Sequence, residues 1–66
     1  MEVTINGQKK EYCGQSSVTA LLESLQINPH AVVVERNLRI VPRNELSKEP
    51  VQDGDSFEII RFVGGG

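Results

Sequence analysis

Three consecutive glycines, Gly64-Gly65-Gly66, follow directly on the apolar run Phe57-Glu58-Ile59-Ile60-Arg61-Phe62-Val63. A residue without a Cβ has wide φ/ψ freedom and the thinnest profile of any, so such a tail can thread a narrow channel and deliver its carboxylate to another protein's active site. That carboxylate, with a reference pKa of about 3.3–3.7, is ionised at neutral pH and is a poor electrophile. It has to be activated first. Adenylation by a partner enzyme that uses ATP and Mg²⁺ does this, giving an acyl-adenylate from which a sulfur or amine nucleophile displaces AMP. A glycine triplet alone reads better as an inert end. The body in front of it decides between the two.

That body is small. A chain of 66 residues has room for one domain and buries only about 60% of the surface that it exposes when unfolded, which argues against a deep internal active site. With 7 basic and 9 acidic residues and a net charge of −2, it lacks the basic excess of a nucleic-acid-binding domain. One cysteine, Cys13, cannot form an internal disulfide, and a single histidine leaves no Cys/His cluster at metal-ligand spacing. The first residues have neither the basic nor the apolar region of a signal peptide, and no apolar run nears the roughly 20 residues that span a bilayer. A soluble, cytoplasmic, metal-free chain is the expectation.

The elements follow in order from local pattern. Val3 and Ile5 alternate with Glu2, Thr4 and Asn6 as in a half-buried strand, and Asn6-Gly7 predicts a tight hairpin. The return strand over Lys9–Cys13 is charged enough to be an edge. Ser17 is placed to cap a helix over Val18–Gln26, whose Val18, Leu21, Leu22 and Leu25 form one apolar stripe. Asn28-Pro29 is expected to end it. A buried strand over Ala31–Glu35, a two-residue turn at Arg36-Asn37 and a shorter strand over Leu38–Val41 come next. The polar stretch from Pro42 to Pro50 has room for one helical turn started by Asn44, with Leu46 plugging the core edge. Asp53-Gly54-Asp55 marks the last turn before a strand over Ser56–Val63.

Since the second and fourth strands read as edges and the last is the most apolar, the first and last are expected side by side in the middle of the sheet. The connection between them then crosses one face, which the helix covers. This is an α+β fold of the β-grasp, or ubiquitin-like, type: a mixed sheet of about four to five strands on one helix, with residues 1–63 as the domain and 64–66 as a flexible tail. With Glu58 toward solvent, Phe57 and Ile59 face the helix, while Ile60 and Phe62 fall on the open face beside the tail. Arg61 points the other way near the sheet margin, where it is expected to salt-bridge a neighbour rather than an acidic partner surface.

The remaining residues read plainly. Cys13 has no histidine base and no electropositive niche, so it is taken as a packed or half-exposed thiol. His30 is a loop side chain, and Tyr12 a packing residue with its hydroxyl at the surface. Arg36, Arg39 and Arg43 form a solvated charged face.

The whole chain resembles the ThiS-type sulfur carriers of thiamin biosynthesis. The resemblance is carried by the Asn6-Gly7 turn, by Ser17-Val18 with Leu21-Leu22, and by the hairpin Val33-Val34-Glu35-Arg36-Asn37 leading to Ile40-Val41-Pro42-Arg43. It is carried also by Val51-Gln52-Asp53-Gly54-Asp55 and by Phe62-Val63-Gly64-Gly65-Gly66. The third glycine exceeds the family's Gly-Gly ending. The resemblance implies a carrier and cosubstrate without catalytic residues or a bound cofactor of its own. Gly66 would be adenylated by an E1-like enzyme using ATP and Mg²⁺, and sulfur from a cysteine desulfurase persulfide or another donor would convert it to a thiocarboxylate. Thiazole synthase would then take the sulfur. Gly64 and Gly65 would supply reach, and Ile60 and Phe62 would dock the partners. The small subunit of molybdopterin synthase and ubiquitin-like protein modifiers are the alternatives, since they share fold and tail.

Overall fold

The computed structural model describes residues 1–62. Five strands, β1 (Glu2–Ile5), β2 (Gln8–Glu11), β3 (Val32–Arg36), β4 (Arg39–Val41) and β5 (Ser56–Arg61), form one sheet in the order β2-β1-β5-β3-β4. The expected mixed β-grasp sheet is present: β1 and β5 run parallel at its centre, and the other pairs are antiparallel. Helix α1 (Val18–Ser24) covers one face. Val3, Ile5, Val32, Val34, Val41, Phe57 and Ile59 of the strands are buried together with Val18, Leu21 and Leu22 of the helix.

Turn chemistry sets the hairpins. Asn6 and Gly7 both take positive φ, 50° and 81°, the left-handed pair that a primed turn needs. β2 is exposed along its whole length and carries Lys9 and Lys10, as suits an edge. It ends at Glu11, before the expected limit of Cys13. Tyr12 instead turns inward: it is buried, and its hydroxyl donates to the Gln15 carbonyl (2.6 Å) rather than to water. Its ring lies on Gly14, where any Cβ would overlap it.

Ser17 caps α1 by accepting from the Ala20 N–H (3.1 Å). The two preceding free amides go to the polar connection: Val18 N–H donates to Glu49 O (2.9 Å) and Thr19 N–H to Leu46 O (3.1 Å). Leu46 and Val51 are buried, so this stretch is bolted to the helix start at both the polar and the apolar level. Its single helical turn is a 3₁₀ turn over Arg43–Glu45 behind Pro42, one residue earlier than a start at Asn44 would give. α1 stops sooner than Asn28-Pro29 required. Leu25 caps it and Gln26 takes φ 60°, after which Asn28-Pro29 opens a separate 3₁₀ turn with Asn28 Oδ1 accepting from the His30 N–H.

The β3–β4 turn is shifted by one residue from the expected Arg36-Asn37. Arg36 is the last residue of β3, paired with Arg39, and the turn is Asn37-Leu38, with φ of 50° and 70°. Asn37 holds it there. Its N–H donates to Ser56 O (2.7 Å), and its side-chain oxygen accepts from the Ser56 N–H (2.9 Å). Among the described residues no helix is long and apolar enough to cross a membrane.

Candidate functional site

β5 is the strand that leads to the glycines, and both of its edges are secured. Toward β3 the register runs from Phe57 opposite Arg36 to Arg61 opposite Val32, and Phe62 N–H then donates to Ala31 O (3.2 Å). Toward β1 the ladder covers only Ser56 and Phe57, because β1 turns away at Asn6. The Asn6 side chain takes over from the backbone. Its Oδ1 accepts from Ile59 N–H (2.8 Å) and its Nδ2 donates to Ile59 O (3.3 Å), while its own N–H donates to Phe57 O (2.9 Å). Thus one asparagine closes the hairpin and extends the parallel ladder. Truncation tests this: Asn6→Ala leaves both Ile59 backbone groups without these partners, and an unmade bond of this kind costs about 1–3 kcal/mol. The expected result is a lower Tm with faster amide exchange at Ile59, and unchanged protection there would show that the clip holds nothing.

The alternation within β5 is as the sequence led us to expect. Phe57 and Ile59 are buried, whereas Ile60 (52% exposed) and Phe62 (54%) sit on the face away from α1. Ile40 of β4 joins them at 66%. The Arg43 guanidinium lies over the Phe62 ring, 5.8 Å from its centroid, within cation–π range. Arg61 is exposed but, among the described residues, makes no ion pair, so the expected salt bridge is not found. Gly64, Gly65 and Gly66 lie outside the described residues, as does Val63.

Arg36 departs from the solvated charged face expected of it. Its Nε donates to Asp55 Oδ2 (2.8 Å), Nη1 to Glu49 Oε2 (3.0 Å) and Nη2 to Gln52 Oε1 (3.2 Å). Asp55 also accepts from Asn37 Nδ2 (3.0 Å) and from the Gln52 N–H (2.8 Å). Burial pushes the Asp55 carboxyl up, but hydrogen bonds from Arg36, Asn37 and Gln52, with the charge of Arg36, outweigh this and hold it below the ordinary carboxylate value. Arg36 is therefore an internal tie between the β3–β4 hairpin and the turn that starts β5. Sequence reasoning missed it because its partners lie 13 to 19 residues away. Cys13 is an exposed free thiol. Among the described residues no group of three or more His, Cys, Asp or Glu side chains is placed to hold a metal.

Chemically, the described surface offers an apolar face beside the exit of a strand, without an assembled catalytic constellation. Comparison with known proteins bears on what such a face serves. The sequence model of the ThiS family matches residues 3–66. The chain is 30% identical to the sulfur carrier protein ThiS of Escherichia coli (strain K12) over 66 residues, covering 100% of both. It is 42% identical over 66 residues to a thiazole synthase of Paramagnetospirillum magneticum, covering 100% of this chain and 20% of that protein. The chain thus spans a fifth of that relative's length. The crystal structure of a thiamine biosynthesis protein, ThiS, from Geobacter metallireducens superimposes with a TM-score of 0.85 at 35% identity, covering 100% of both chains.

Proposed function

The chain belongs to the ThiS family, and from that premise we propose that it serves as a sulfur carrier in thiamin biosynthesis, with the Gly66 carboxylate as the atom-bearing end. The observation that carries this reading is that the family match runs through the triglycine to residue 66, so body and tail are matched as one unit.

In the proposed cycle an E1-like enzyme binds ATP and Mg²⁺, and a Gly66 carboxylate oxygen attacks the α-phosphorus with loss of pyrophosphate. The terminal sulfur of a persulfide, formed by a cysteine desulfurase or another donor, attacks the activated carbonyl and AMP leaves. A thiol then cleaves the sulfur–sulfur bond, releasing the thiocarboxylate. Thiazole synthase accepts the sulfur and returns the carboxylate. Ile60 and Phe62 dock each enzyme in turn, Gly64 and Gly65 carry the end into its active site, and the chain contributes no catalytic side chain. A small apolar patch with a polar rim suits partners that must be exchanged. The 42% identity to a segment of a thiazole synthase supports that enzyme as the sulfur acceptor.

Reconstitution tests the reading. The thiocarboxylate form, identified by intact mass as one oxygen replaced by sulfur, is incubated with thiazole synthase or with the large subunit of molybdopterin synthase. We expect only the first to consume it. Consumption by the second, or isopeptide-linked adducts in protein isolated from cells, would overturn the assignment.

A further inference from the structure

The open face of the sheet carries a charge pattern that the free chain leaves unanswered. Register places Glu35 of β3 directly opposite Glu58 of β5, with Ile40 of β4 opposite Glu35 on the other side. The next rung toward the tail pairs Val33 with Ile60. Val32, Val34, Phe57 and Ile59 are the buried residues of β3 and β5, so both carboxylates share the open face with Ile40, Val33 and Ile60. Side chains directly opposite on a sheet start about 4.5–5.5 Å apart at Cβ, and like charges there are destabilising. Among the described residues neither carboxylate is in an ion pair. Arg36 is committed to Asp55 and Glu49, Arg43 lies over Phe62, and Lys9 is two strands across, opposite Thr4.

We propose that this face docks a protein partner that inserts a basic side chain between Glu35 and Glu58 while its apolar groups cover Ile40 and Ile60. The proposal rests on the reading that Ile60 and Phe62 form the docking patch, and it adds the chemistry that the partner must present. Covering the face with a neutral surface would strip water from two opposed carboxylates and strengthen their repulsion. An arginine fork or a lysine ammonium converts that repulsion into charge-assisted hydrogen bonds. At the tail end the sign reverses: covering Phe62 also covers Arg43, which calls for an acidic group. Across this face from Glu58 through Ile60 to Phe62 and the Arg43 above it the pattern runs negative, apolar, positive, so a partner docked in the reverse sense sets like charge on like. A second copy stacked on the same rung sets carboxylates against carboxylates.

The test measures binding of four forms of the chain to the thiazole synthase of the same source at several salt concentrations, together with the Tm of each free chain. For Glu35→Gln with Glu58→Gln we expect a Tm at or above that of the parent, affinity lower by roughly tenfold or more, and a flatter salt dependence. Arg43→Gln should weaken binding more modestly. Ile60→Ala with Phe62→Ala should abolish it. Unchanged or tighter binding of the double glutamine variant, or a fall in its Tm, overturns the cation pairing. If the alanine variant loses binding while the glutamine variant does not, the docking patch stands and the charge key falls. Failure of the parent chain to bind overturns both.

Discussion

Removing Gly65 and Gly66 is expected to abolish ATP-dependent activation of the chain and leave its thermal unfolding unchanged. Among the described residues the buried cluster draws on Val3 to Ile59, and the truncation leaves all of these in place. It withdraws the terminal carboxylate by two residues, about 7 Å of extended chain. An in-line attack on a phosphorus atom requires the reacting atoms at roughly 3–3.5 Å, so a shortfall of that size removes the reaction rather than slowing it. Pyrophosphate exchange catalysed by the activating enzyme reads the first step alone. Undiminished exchange with the truncated chain would sink the assignment of Gly66. Gly66→Ala keeps the length and adds one methyl group, and so separates reach from slimness.

The second large effect is on the fold. Asp55→Ala leaves Arg36 Nε, Asn37 Nδ2 and the Gln52 N–H without their carboxylate. The Arg36 and Asp55 side chains are only 17% and 8% exposed. Removing one partner of such a part-buried, hydrogen-bonded pair leaves polar groups unpaired and costs about 1–3 kcal/mol, a sizeable share of the about 5–15 kcal/mol that holds a domain together. Urea unfolding should show a loss of this order, and a loss below about 1 kcal/mol would mean that the network is ornamental. The pH dependence follows from the depressed Asp55 value. Its contribution is fully present above the unfolded-state carboxylate value of about 3.9 and is lost as pH falls below that toward the lower folded value. In Asp55→Ala that part of the acid sensitivity should vanish.

Both effects concern residues whose roles were unequally visible in the sequence. The tail, the Ser17 cap, the Leu21-Leu22 stripe and the alternation of Phe57 and Ile59 against Glu58 and Ile60 are local patterns with a period of their own, so reading them needs no partner. The β1–β5 pairing followed from topology once the edges were known. At Arg36 and Asn6 a distant contact decides. Arg36 stays in β3 because Asp55 and Glu49 hold its guanidinium, which moves the turn on to Asn37-Leu38. α1 ends early because Gln26 takes a left-handed backbone, a choice that neither Asn28 nor Pro29 announces. Asn6 was legible as a turn former, but its bonds to Ile59 were not, since 53 residues separate them. The opposition of Glu35 and Glu58 is equally a matter of register, which composition does not reveal.

The two asparagine clips have a consequence for distance. Asn37 holds β5 at Ser56 from one side and Asn6 holds it at Ile59 from the other, and Phe62 is tied to Ala31. Phe62, the last anchored residue among those described, is therefore a surveyed point relative to the open face of the sheet. Four residues beyond it can span at most about 14 Å. With Gly66 as the reacting end, the molecule is a ruler: any enzyme that seats Ile60 and Phe62 must hold its reacting atoms inside that radius. On the proposed function, an activating enzyme and a sulfur acceptor that share nothing else must share this one upper limit.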